Sequence, residues 1–171
     1  MAEIYPLVSC DHPILKQPTP KFDFQNPPID PVDLAHSLAK TMLDNNGLGL
    51  SAPQIGLNYR VFCIASSPII CCFNPIVVDQ TSDMVYLDEG CLSFPGLIVK
   101  VKRPRAIKIR YTQPNGEVKT EKFIGMTARA ILHEIDHLDG IVFTQRANKY
   151  HVEKGKKRLA NAKKVHLNKN V

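Results

Sequence analysis

The chain has no apolar run approaching the roughly 18 residues that a membrane span requires. Its opening, Met1-Ala2-Glu3-Ile4-Tyr5-Pro6, lacks the basic start and apolar stretch of a secretory signal, so the expected compartment is a cytoplasm. Internal repeats and low-complexity linkers are missing from the body, and no Cys-x-x-Cys pair occurs. What remains is room for one compact domain, at 171 residues and 19.1 kDa. With 44% apolar and 22% charged residues, disorder is excluded as the main state.

The cysteines number five: Cys10, Cys63, Cys71, Cys72 and Cys91. Cys71 and Cys72 are adjacent and cannot easily bridge each other. Without an export signal all five are expected as reduced thiols, four of them small core residues.

The net charge of +6 has one address. Beyond residue 150 stand Lys154, Lys156, Lys157, Arg158, Lys163, Lys164 and Lys169, against Glu153 alone. Residues 1–150 therefore hold 15 charges of each sign. The body is neutral, and residues 151–171 form a basic C-terminal tail. Such a tail is either a solvated, frayed end or an attractor for RNA, such as a ribosome surface. Gly155 and the dense lysines argue against a stable helix in the free tail. Neither a membrane nor a specific DNA target is expected.

Six of the thirteen prolines fall within residues 1–30, which read as an extended, irregular arm. Asp30-Pro31-Val32-Asp33 then gives a helix start: an acidic cap, proline at the first helical position and an acid in the first turn. Leu34, Ala35, Leu38, Met42 and Leu43 follow at helical spacing, and Asn45-Asn46-Gly47 ends the helix. Short apolar runs over Tyr59–Ala65, Ile69–Phe73 and Pro75–Val78 suggest strands. So do Val99–Val101, Ala106–Tyr111 and Val118–Ile124, the last two joined by a hairpin signal at Gln113-Pro114-Asn115-Gly116. A second helix is expected from Thr127 to Asp139, closed by Gly140. The fold class is therefore α+β, with antiparallel strands packed around that late helix.

Residues 133–137 of the late helix read His-Glu-Ile-Asp-His. Histidines at i and i+4 share a helix face, roughly 6 Å apart at Cβ, so both imidazoles can reach one metal ion. Glu134 lies near the same site and can accept a proton from an attacking water. Ile131, Ile135 and Leu138 form an apolar opposite face. The His-Glu-x-x-His pattern is shared by several metallohydrolase classes, which differ in the third ligand. A histidine six residues after the second is ruled out by Phe143, and only Glu153 lies downstream as an acid. The third ligand is therefore sought upstream, and Cys91 in Glu89-Gly90-Cys91-Leu92-Ser93 is the candidate. One thiolate and two imidazoles leave a fourth position open, as catalytic sites require. A further segment, Gly47-Leu48-Gly49-Leu50-Ser51-Ala52-Pro53-Gln54-Ile55-Gly56, allows backbone to run close to a substrate. Gln54 adds an amide donor suited to a developing oxyanion.

Taken in order, GLGLSAPQIG, EGCLS and HEIDH resemble the peptide deformylases, and Asp11-His12-Pro13-Ile14-Leu15 is similar to the opening of that family. The resemblance implies hydrolysis of the N-formyl group from formyl-methionine at the start of newly made polypeptides, with release of formate. It further implies Cys91, His133 and His137 as metal ligands and Glu134 as general base and acid. Gln54 and the backbone N–H of Leu92 would hold the oxyanion. Gly49 and Gly90 would bond the substrate backbone, which lies as an added strand. The metal implied is Fe(II), with Zn(II), Ni(II) or Co(II) able to substitute. The partners are formyl-methionyl nascent peptides, and the ribosome through the basic tail.

For the methionine pocket, Leu48, Met126 and Ala130 are proposed as lining, with Met126 equally suited to filling core. Arg129 is expected at the pocket rim or in solvent. Ser51 stands where the family usually has alanine, and Leu132 where it commonly has glutamine. The stretch between Ile64 and Asn74 is short for the family. Glu89 is positioned to pair with Arg103 and stiffen the cysteine segment. Two other classes compete. A zinc endopeptidase would use His133, Glu134 and His137 with a different third ligand. A basic-tailed RNA-binding protein with a structural metal would need four protein ligands.

Overall fold

The computed structural model describes residues 2–169, so the last two residues of the basic tail lie outside the described residues. It is α+β as expected, with two antiparallel sheets and three α-helices. Helix α1 spans Pro31–Asp44, and the Asp30 carboxylate accepts from the backbone N–H groups of Val32 and Asp33 at 2.9 and 3.0 Å. Its buried stripe, Leu34, Ala35, Leu38 and Met42, packs with Phe22, Leu50, Val61 and Phe73 into one core cluster.

The larger sheet has the order β1-β2-β3-β6-β7, from Gly49–Ser51, Val61–Ile64, Ile70–Gln80, Ala106–Thr112 and Val118–Ile124. The hairpin β6–β7 pairs Ala106 with Ile124 and Thr112 with Val118, as the turn residues between them dictate. The two expected runs around Pro75 are a single strand, β3, bent at Asn74. That residue has φ 50° and uses its side-chain amide to bond both the N–H and the carbonyl of Phe22 at 2.7 and 2.9 Å. A separate two-stranded sheet pairs β4 (Met84–Cys91) with β5 (Phe94–Pro104). Sequence patterning found only the middle of β5 and none of β4.

Helix α2 spans Gly125–Leu138. It follows β7 without a linker, because Gly125 turns the chain at φ 65°. Ala128, Ile131, Ile135 and Leu138 are buried against Phe62, Ile64, Ile107 and Ile109 of the larger sheet. The opposite side of α2 is thereby turned toward the β4–β5 hairpin.

Two expectations are corrected. Cys63 and Cys71 are not free thiols: they face each other across β2–β3 with Cα atoms 4.1 Å apart and form a disulfide. Cys10, Cys72 and Cys91 are free. The tail is also not a bare chain, since Lys149–Lys169 is helix α3. Val152 and Leu159 pack on the cluster of Leu97, Val99, Val101 and Phe143, and buried Gly155 lies flat against β5. Docking supplies the stability that helix propensity withholds. A Cβ at Gly155 would stand 2.5 Å from the Ile98 carbonyl oxygen. Gly155→Ala should therefore lower unfolding stability by about 1–3 kcal/mol in urea denaturation, as overpacking does. A gain of about 1 kcal/mol, the helix-propensity difference, would show that α3 is not seated on β5.

Candidate metal centre and active site

Cys91 ends β4 just after an irregularity in the register between Glu89 and Cys91. Gly90 sits at that irregularity, where a Cβ would come 2.9 Å from Ile98 Cδ1. His133 and His137 stand one turn apart on α2. Cys91 Sγ lies 3.2 Å from His137 Nε2, and one ligating atom from each of the three residues falls within 4.8 Å of the others. His133 Nδ1 is 3.3 Å from Glu89 Oε2, which leaves Nε2 as the nitrogen available to an ion.

Glu134 is 3% exposed, and its Oε2 has no hydrogen-bond partner among the described residues. Gly49 backs it so closely that a Cβ there would stand 2.5 Å from Oε1. Gln54 is held from one end: its Oε1 accepts from the N–H and the hydroxyl of Ser51, both at 2.9 Å. Its Nε2 is thereby aimed at the cluster, 3.5 Å from Cys91 Sγ and 3.3 Å from Ser93 Oγ. Ser51 thus serves the Gln54 loop directly, through a hydroxyl that alanine would lack.

A cleft of about 590 Å³ opens above these groups. Leu48, Gly49, Gly90, Met126 and Ala130, all selected from sequence, line it. So do Gln54, Cys91, Leu92, His133 and Glu134, whereas His137 lies behind the wall. Leu48 and Met126 are more than half exposed, so they border the mouth rather than fill core. Sequence reading missed Ile98 and the Phe94–Leu97 segment, which form the far wall. Their signal was absent because β5 was recognised only from Val99 onward.

Arg129 does line the cleft, but its side chain is buried rather than in solvent. It is 4% exposed and donates to Glu89 Oε1 at 2.6 Å, to the Val85 carbonyl at 2.6 Å and to the Val101 carbonyl at 3.0 Å. The expected Glu89–Arg103 pair is present, with Arg103 spanning both carboxylate oxygens at 2.7 and 2.9 Å. Arg103 also reaches Asp136 at 2.8 Å, and Arg146 binds the other oxygen of Asp136 at 2.6 Å.

These neighbours set the charges of the ion-free protein. Burial opposes ionisation of Glu89, yet hydrogen bonds from His133 and Arg103 prevail and hold it down at about 2. Burial would also neutralise His133, but Cys91 and Glu89 outweigh it and raise the imidazole to about 10. Burial, then the charges of His133 and Arg103, lower His137 to about 3. Glu134 is pushed up to about 7 by burial, against the pull of His133 and Ser51.

One thiolate and two imidazoles, converging beside a buried carboxylate oxygen without a partner, suit a divalent ion of intermediate softness with one position open. Beneath an open cleft, such a centre marks a metal-dependent hydrolase.

The comparisons narrow the class. Residues 4–153 match the family model described as Polypeptide deformylase. A peptide deformylase from Cytophaga hutchinsonii is 36% identical over 175 residues, covering 97% of this chain and 91% of that protein. Among solved structures, the class I type b peptide deformylase of Acinetobacter baumannii bound to actinonin is 32% identical with a TM-score of 0.80. The match covers 86% of this chain and all of that one. The same enzyme bound to Met-Ala-Ser matches at 30% identity and a TM-score of 0.79, over 85% of this chain and 99% of that one. The chain belongs to the polypeptide deformylase family, a family of metalloenzymes.

The Glu134 shift has a sign that can be tested in metal-free protein. The unfolded chain releases this proton near pH 4.5 and the folded chain near 7, so the folded state binds more protons between them. Stability then falls as pH rises through that window. Glu134→Gln should stabilise the chelator-treated protein at pH 8, by on the order of 3 kcal/mol, and lose that advantage toward pH 4.5. Equal stability differences at both pH values in urea titrations would contradict the shift.

Proposed function

We propose that this chain removes the N-formyl group from formyl-methionine at the start of newly synthesised polypeptides and releases formate. The observation that carries this reading is the Gln54 amide donor aimed at a Cys-His-His cluster in an apolar-walled cleft that Glu134 also lines, with one carboxylate oxygen unpartnered among the described residues. Under this reading residues 1–150 are the catalytic domain, centred on the metal-binding helix α2, and residues 151–171 are a basic extension.

Cys91, His133 and His137 would hold the ion, Fe(II) by preference, with Zn(II), Ni(II) or Co(II) as substitutes. Bound there, a divalent cation supplies Lewis acidity, making water acidic enough to attack at neutral pH and polarising a carbonyl. The protein's own groups do the rest. Glu134, buried next to His133 with one carboxylate oxygen unpartnered among the described residues, takes the proton of the attacking water and returns it to the departing amine. Gln54 Nε2 and the Leu92 N–H donate to the oxygen that gains charge as the formyl carbon becomes tetrahedral. Because Ser51 fixes Oε1, the amide does not have to reorient during the reaction. Gly49 and Gly90 bring bare backbone to the cleft walls, suited to pairing an extended peptide. Leu48, Met126 and Ala130 receive the methionine side chain. The Met-Ala-Ser complex of the Acinetobacter relative supports a peptide beginning with methionine as ligand.

Helix α3 also bears the basic excess, which supports attraction to the ribosome, where formylated chains emerge. Among the described residues no helix is long and apolar enough to cross a membrane. The proposed compartment is a cytoplasm.

Anaerobic loading with Fe(II) followed by formate assay on a formyl-Met tripeptide tests the reading. Parent protein should release formate, and Glu134→Ala should not. Gln54→Ala should bind metal normally while turnover drops by roughly 10²–10³. Metal-loaded, folded parent that releases no formate would contradict the assignment.

A further inference from the structure

The proposed metal donors come from two elements that share no sheet. His133 and His137 lie on α2, which is anchored in the larger sheet through its apolar face, whereas Cys91 ends β4 of the separate hairpin. An ion bound at roughly 2.0–2.3 Å from each donor tolerates little drift between those elements. Something must hold the hairpin and the helix at a fixed separation.

Arg129 stands one helical turn before His133 and reaches from α2 to both strands of the hairpin. Its guanidinium donates to the Val85 carbonyl on β4 at 2.6 Å, the Val101 carbonyl on β5 at 3.0 Å and Glu89 Oε1 at 2.6 Å. Glu89 lies two residues before Cys91, and its other oxygen meets His133 Nδ1 at 3.3 Å. A planar fork with several fixed donors can hold three acceptors in different directions; an ammonium on a flexible stem holds them less well. Arg103 runs the opposite way, from β5 to Asp136 on α2, and keeps Glu89 paired if Arg129 is lost.

We propose that Arg129 is a positioning residue for the metal centre: through Glu89 and the two hairpin carbonyls it sets where Cys91 stands relative to His133 and His137. Arg129 touches none of the three donors, so its effect is on their geometry. The proposal rests on the ligand set given under Proposed function.

Cobalt(II) reports on both without any substrate. Parent protein titrated with Co(II) against a chelator should show a thiolate-to-cobalt charge-transfer band. Arg129→Met should keep the fold by circular dichroism, weaken Co(II) binding by about 10–100-fold and shift or diminish that band, as loss of groups that orient metal ligands does. Arg129→Lys should recover part of both. Arg105→Met, which removes an exposed ion pair with Asp83, should change neither. Parent-like affinity and spectrum in Arg129→Met would overturn the proposal. If Arg129→Met does not fold, Arg129→Lys decides: a folded variant with parent-like cobalt binding, or one equally unfolded, overturns it. Absence of the band in the parent would instead remove Cys91 from the ligand set, and the proposal with it.

Discussion

A single buried carboxylate, that of Glu89, ties the site to the fold. It is 6% exposed and has an acceptor role toward Arg103, Arg129 and His133 at once. An ionised carboxylate buried without such partners costs several kcal/mol, and here the partners reach Glu89 on β4 from two other elements, Arg103 from β5 and both Arg129 and His133 from α2. Satisfying it therefore requires β4, β5 and α2 to assemble together. The cluster of Cys91, His133 and His137 is the geometric result of that assembly. The network continues through Asp136 to Arg146, which extends the same constraint to the segment leading into α3.

Around this centre the two faces of α2 do different work. One is apolar and fixes the helix on the larger sheet; the other is polar and meets the hairpin and the cleft. The cleft is bordered where side chains are missing. Gly49 leaves room for Glu134, and Gly90 leaves room for Ile98. The same device reappears at Gly155, where α3 covers the outer side of β5. Backbone approach, rather than bulk, shapes both walls of the hairpin.

Much of this was legible from residues alone. The Asp30-Pro31 cap, the periodic stripe of α1, the Asn115-Gly116 turn and the His-Glu-x-x-His spacing each carry local physics that tertiary contacts do not override. The Glu89–Arg103 pair was also legible, from chemistry and proximity in sequence to Cys91. What escaped depends on partners far along the chain. Strand β4 exposes one whole face and its one fully buried side chain is the charged Glu89, so no apolar–polar alternation marks it. Helix α3 is a poor helix former that is stabilised by its dock on β5. Cys63 and Cys71 are brought together by the β2–β3 register, which compartment arguments do not address. Arg129 was read by its place on a helix face, but the carbonyls that bury it belong to strands 28 and 44 residues away.

The most direct test of convergence by these three residues is X-ray absorption at the metal edge of the Co(II)- or Zn(II)-loaded protein. The expected first coordination sphere contains one sulfur, at roughly 2.3 Å for zinc, and two imidazole nitrogens at roughly 2.0–2.1 Å, completed by light-atom scatterers. Cys91→Ser should remove the sulfur scatterer alone. A sphere without sulfur in the parent, or one holding more than one sulfur, would contradict the convergence of Cys91, His133 and His137 on a single ion.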